Sequence, residues 1–120
     1  MAVRAIRGAV QLDRDEADHM LAEVEELVRE VIATNELGPE DLISILFTAT
    51  PDLTSEFPAL AARRLGLGDV PLLCAAEIAV ENAMPRVVRL LAHAETPRTS
   101  SEVKHVYRRG AVALRRDLAQ

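Results

Sequence analysis

Between Asp13 and Pro39 apolar residues recur at intervals of three and four, whereas the apolar runs on either side are too short to make comparable helices. That contrast constrains the fold more than any other feature: one long amphipathic helix must lie against something built from short extended segments. Ala17, Met20, Leu21, Val24, Leu27, Val28, Val31 and Ile32 form the apolar stripe, and Glu23, Glu25, Glu26, Arg29 and Glu30 fill the other side. The spacing predicts a helix of about five turns whose acidic side is solvated surface. Asp13 followed by Glu16 resembles a capping box at its start, and Asn35 to Gly38 with Pro39 behind supplies the stop.

The flanking runs read as strands. Val3 to Leu12 comes first and places Val3, Ala5, Arg7 and Ala9 on one face. Leu42 to Thr48 follows and is broken by the turn Thr50-Pro51-Asp52. Pro58 to Leu65 predicts a short helix opened by proline and closed by Gly66. Val70 to Glu77 and Arg86 to Ala94 are two more strands with a loop, Val80 to Pro85, between them. Thr99, Ser100 and Ser101 offer N-caps, and Val103, Val106, Tyr107 and Gly110 share helical spacing, which predicts a last helix. The order strand, helix, strand, helix, strand, strand, helix is that of an α+β (α/β-like) domain with a small mixed sheet.

At 120 residues the chain makes one domain, 1–120, with no repeat or linker to divide it. A domain of this size buries roughly two-thirds of its unfolded surface, so oligomerisation would help it. A formal charge of -5 argues against nucleic acid as a general partner, and Phe47, Phe57 and Tyr107, its only aromatics, make no platform for stacking bases. The single cysteine, Cys74, allows no internal disulfide, the first ten residues have no signal-peptide core, and no apolar run is long enough to span a bilayer. These features predict a soluble, cytoplasmic protein with no membrane partner.

Metal binding is poorly supported, because His19, His93 and His105 stand on separate elements and Cys74 has no second ligand at useful spacing. Gly66 and Gly68 are a helix stop and a turn, not a phosphate loop. Cys74 is either a small buried hydrophobe or a nucleophile activated by His105, and nothing in the sequence brings that pair together. The positive charge is thirteen arginines against one lysine. This reflects either a genome-wide preference for arginine codons or selection for planar, bidentate recognition of carboxylates. Position must decide. Arg7 on the first strand is a strand-end charge reaching solvent or a ligand-binding group. Arg89 lies inside Arg-Val-Val-Arg-Leu-Leu-Ala, where a buried strand is expected. A charge there costs several kcal/mol unless something pairs with it. Either Glu77 or Glu81 is its partner, or an anionic ligand is.

Arranged along the chain, Arg-Ala-Ile-Arg-Gly-Ala (4–9), Thr-Ala-Thr-Pro-Asp-Leu (48–53), Glu-Phe-Pro-Ala (56–59), Val-Pro-Leu-Leu-Cys-Ala-Ala-Glu (70–77), His-Val-Tyr (105–107) and Ala-Val-Ala-Leu-Arg-Arg-Asp-Leu (111–118) resemble the monofunctional barrel-type (AroH-type) chorismate mutases. The resemblance implies an isomerase that rearranges chorismate to prephenate without a cofactor or metal. It implies a homotrimer whose sheets pack as a pseudo-barrel, with helices on one face of each sheet and active sites between subunits. It gives Arg7 and Tyr107 to the enolpyruvyl carboxylate, Arg89 to the ether oxygen and a carboxylate, and Glu77 and Cys74 to the ring hydroxyl. Phe57, Ala59 and Arg63 would come from the neighbouring subunit, with Leu114 and Arg115 closing over the cleft from the tail.

This sequence departs from the family in carrying Leu60 where a lysine is usual and Leu73 where a hydroxyl-bearing residue is usual, so neither is assigned to the site. Cys74 and Glu77 differ by three, which sends them to opposite faces of a regular strand; if both touch substrate, the strand must bulge or end between them. The alternatives are a non-catalytic trimeric carboxylate-binding protein of the same fold, a partner-binding module, and a small deaminase-like enzyme of trimeric architecture.

Overall fold

The computed structural model describes residues 1–115, with only the backbone described at Arg115. Strand β1 (Ala2–Gln11) leads into helix α1 (Ala17–Thr34). A 3-10 turn at Pro39–Asp41 precedes β2 (Leu42–Ala49), then come α2 (Ala59–Arg64), β3 (Leu72–Ala76), β4 (Val87–Thr96), β5 (Val106–Arg108) and a 3-10 helix at Arg109–Arg115. The five strands form one mixed sheet in the order β3-β2-β4-β1-β5. β4 runs antiparallel to β1 and β2, while β3 and β5 are parallel edge additions to β2 and β1.

Both helices cover the same face. Met20, Leu21, Val24, Leu27, Val28 and Val31 of α1 and Ala59, Ala61 and Ala62 of α2 are buried in one cluster with Ile6, Val10, Ile45, Phe47, Val88, Leu90 and Val106 of the sheet. Each large apolar side chain withdrawn from water here contributes about 1.5–3 kcal/mol. Gly8 sets how closely α1 approaches: a Cβ at this position would lie 3.2 Å from Leu90 Cγ and 3.3 Å from Leu27 Cδ1.

The start of α1 differs from the expected capping box. Glu16 is the extended residue before the helix and makes no side-chain cap. The Asp13 N–H instead donates to His19 Nε2 at 3.0 Å, so a helix side chain reaches back to the incoming chain. The stop falls where the sequence placed it, but Glu36, at φ 55°, takes the left-handed position rather than a glycine. The Leu37 N–H reaches back to the Ile32 carbonyl at 2.9 Å, closing the last turn.

The larger correction concerns the end of the chain. Val106–Arg108 is a strand, not part of a helix, and among the described residues only the 3-10 helix follows it. Val103, Val106 and Tyr107 have helical spacing, but the free edge of β1 offers this segment a ladder of backbone hydrogen bonds, pairing Gly8 with Val106 and Ala9 with Tyr107. Asn35, only 2% exposed, fixes the approach. Its Nδ2 donates to the Lys104 carbonyl and its Oδ1 accepts from the Lys104 N–H, at 2.9 and 2.8 Å. Arg109 then turns the chain at φ 54°.

Candidate active site

The sheet face away from the helices carries Ala5, Arg7 and Ala9 of β1, Arg89, Leu91 and His93 of β4, Ser44, Leu46 and Thr48 of β2, and Tyr107 of β5, as the strand registers require. The expected grouping of Val3, Ala5, Arg7 and Ala9 is therefore right, and Arg7 faces away from the helical core. Arg89 is rooted in β4 between β1 and β2, with Ala9 on one side and Thr48 on the other. A guanidinium so placed has little backbone freedom.

Its partner is Glu77. β3 ends at Ala76, yet the Glu77 N–H still bonds the Ala49 carbonyl at 2.9 Å. The Glu77 carboxylate pairs through Oε1 with Arg89 Nη1 in a short contact and accepts the Thr48 hydroxyl on Oε2 at 2.6 Å. The Glu77 side chain is 17% exposed and that of Arg89 41%, so the pair leaves part of the guanidinium open to a ligand. Glu81 takes no part in this ion pair.

Arg7 is held differently. No carboxylate pairs with it among the described residues, and its Nε is buried without a hydrogen-bond partner. An unpaired buried donor costs about 1–3 kcal/mol. Its own backbone N–H is fixed by His105 Nδ1 at 2.9 Å. Arg7, Arg89, Tyr107 and Leu114 line one cavity of about 230 Å³. Ala9, Val87 and Ala111 pack beneath Tyr107 and Leu114 as a second small apolar cluster. Two guanidinium groups and one carboxylate leave this cleft net positive in a chain of charge -5. That arrangement attracts and orients an anion without offering it a nucleophile.

A family model described as chorismate mutase type I matches residues 3–118. The chain belongs to the chorismate mutase type I family. It is 44% identical over 117 residues to the chorismate mutase AroH of Thermus thermophilus, covering 97% of this chain and 96% of that protein. It is 36% identical over 120 residues to the chorismate mutase AroH of Bacillus subtilis, covering 99% and 94%. A solved chorismate mutase from Clostridium thermocellum superposes with a TM-score of 0.90 at 39% identity, covering 92% of this chain and 98% of that one.

Other positions that the chorismate mutase resemblance singles out lie elsewhere in the subunit. Cys74 pairs with Phe47 in the register of β2 and β3, so it faces the helical side, opposite to Glu77. It lines a separate cavity of about 490 Å³ with Phe57, Thr50, Pro51 and Leu53. Phe57 is 69% exposed, while Ala59 is buried within its own subunit. Arg63 is exposed on α2, on the far side of the sheet from Arg89. The Arg115 side chain lies outside the described residues. Cys74 and His105 sit at opposite edges of the sheet, with β2, β4 and β1 between them, so they form no nucleophile–base pair.

Sequence reasoning missed the residues that hold this machinery still. Thr50 and Asp52, expected as a turn within a family-like segment but given no site role, fix the start of β4. The Val87 N–H donates to Thr50 Oγ1 and the Arg86 N–H to Asp52 Oδ2, each at 3.0 Å, two and three residues before Arg89. Asp15 ties the next stretch down, accepting from the Thr54 N–H and hydroxyl and the Ser55 N–H. The Ser55 side chain, then the Thr54 N–H, hold the Asp15 carboxyl below its ordinary range. This tether is complete above the ordinary carboxylate pKa and is lost as pH falls through the lowered one. The readable signal was strand parity, which places Thr48 on the face of Arg89.

Proposed function

We propose that the chain is a chorismate mutase that converts chorismate to prephenate in phenylalanine and tyrosine biosynthesis, chiefly through fixed arginine cations. The observation that carries this reading is the convergence of Arg7, Arg89, Tyr107 and Leu114 on one cavity, with Glu77 holding Arg89 from the side. The rearrangement breaks an ether C–O bond while a C–C bond forms, in one concerted step, so it needs no proton transfer and no covalent intermediate. Two tasks remain for the protein.

The first is to hold the substrate in a compact conformer with its reacting carbons close. In this reading Arg7 and Tyr107 take the enolpyruvyl carboxylate, and Leu114 packs over it. Glu77 accepts the ring hydroxyl. The second is to place positive charge where negative charge develops, on the ether oxygen. Arg89 does this. Its planar fork can touch the oxygen and a carboxylate together, and its seat between two strands means that little reorganises as the bond breaks.

The active assembly in this reading is a homotrimer working in the cytoplasm, with each site completed by a neighbour. Support comes from the sheet face away from the helices, which the described residues cover only in part, through the 3-10 helix at Arg109–Arg115, and on which Val3 and Leu73 are 56% and 64% exposed. Phe57 and Arg63 lie on the helical side and do not reach the Arg89 cavity of their own chain. A neighbouring subunit would bring Phe57, Arg63, the backbone at Ala59 and Cys74, which shares a cavity with Phe57, to the cleft, while Arg115 closes over it. Among the described residues no helix is long and apolar enough to cross a membrane.

Purified protein mixed with chorismate tests the activity directly. The substrate's ultraviolet absorbance should fall, and acidification should yield phenylpyruvate from the prephenate formed. Unchanged absorbance at micromolar enzyme would favour a non-catalytic carboxylate-binding protein of the same fold.

A further inference from the structure

Thr48 stands on β2 opposite Arg89 in the antiparallel register and beside Ala75 in the parallel one. Its hydroxyl points to the same face as the Arg89 guanidinium and donates to Glu77 Oε2 at 2.6 Å. Glu77 itself stands just past the last residue of β3, and the next residue, Ile78, is 86% exposed. Its carboxylate therefore belongs to the end of an edge strand, whereas Thr48 belongs to a strand flanked on both sides. The hydroxyl is the fixed point of the pair.

A carboxylate facing a guanidinium tends to close on it with both oxygens, in two parallel hydrogen bonds. Here Oε2 accepts the Thr48 hydroxyl and only Oε1 meets Arg89. The remaining N–H groups of Arg89 stay available to the cavity that it shares with Arg7 and Tyr107. Building on the reading of the chain as a chorismate mutase, we propose that Thr48 is a positioning residue that keeps Glu77 from closing on Arg89 with both oxygens. Without the hydroxyl, Glu77 rotates onto the guanidinium and competes with the negative charge that develops on the substrate's ether oxygen. The loss falls on the chemical step more than on binding.

The test compares wild type, T48V, T48S, E77Q and the double variant T48V/E77Q, with chorismate as substrate and with thermal melting and gel filtration of each protein. Valine keeps the shape and strand preference of threonine and removes only the donor. T48V should lose about 10- to 100-fold in kcat, as displacement of a positioned group does, with KM changed less than about threefold because uniform binding is spared. T48S, which keeps the hydroxyl, should recover kcat to within about threefold of wild type. In the E77Q background, where no carboxylate competes for Arg89, adding T48V should cost less than about threefold. Equal losses in T48V and T48S, or the full T48V loss on top of E77Q, would overturn the proposal. Should T48V fail to assemble, T48A against T48S makes the same comparison. A wild-type protein that leaves chorismate unchanged sinks the activity itself, whereas an active wild type matched by an equally active T48V sinks only the role of Thr48.

Discussion

Arg89 and Arg7 illustrate two ways of keeping a cation inside a fold. Arg89 is neutralised in part by Glu77, while Arg7 is left with a buried Nε that no protein group satisfies. Both arrangements cost stability, and both residues line one cavity. The absence of a side chain matters equally at Gly8, where Leu27 and Leu90 already occupy the space a methyl group would need. Gly8→Ala should push α1 off the sheet and lower stability by about 1–3 kcal/mol, the usual range for overpacking. Chemical denaturation of the two proteins would measure it. An unchanged midpoint would mean that Leu27 moves aside at no cost.

Among the elements, α1 and β1 to β4 were legible because periodicity reports burial directly: a stripe at three and four residues faces the sheet, and apolar runs face α1. The last segment was not legible. Val103, Val106 and Tyr107 carry a helical spacing that tertiary pairing overrides, and no local signal distinguishes a short edge strand from a turn of helix. What decides is Asn35, some seventy residues away in sequence, which takes both backbone groups of Lys104. Asn35→Ala would remove both hydrogen bonds to the part-buried Lys104 backbone and should cost about 1–3 kcal/mol, at about 0.5–1.5 kcal/mol for each bond. Because β5 carries Tyr107, the same change should raise KM for chorismate, which steady-state kinetics would detect. A stability loss with KM unaltered would separate β5 from substrate binding. The candidate site was legible as a set of arginines in unusual places, but the partner of Arg89 stayed open between Glu77 and Glu81, and the Arg89–Glu77 ion pair resolves it. Thr48 and Thr50, which hold Glu77 and the start of β4, stood in a family-like segment, but no local signal showed which groups their hydroxyls meet.

For the molecule as a whole, α1 and α2 protect one face of the sheet, and the described residues cover the other, with Arg89 at its centre, only in part. In the trimer proposed here that face is closed by other copies, and residues on α2 reach a neighbour's cleft. Arg89→Ala and Arg63→Ala subunits, each impaired alone, should regain activity when unfolded together and refolded as a mixture, because some clefts then receive both wild-type residues. A mixture no more active than its components would place each complete site within one subunit.

The proposed mechanism rests on a guanidinium that is in place before the ether bond begins to break. The measurement that tests this most directly is the turnover of chorismate by Arg89→Ala at saturating substrate, alongside wild type and with folding checked by circular dichroism. The account predicts a fall in kcat of at least about 10²-fold, as for loss of an oxyanion donor. A folded variant whose kcat stays within a few-fold of wild type would contradict it.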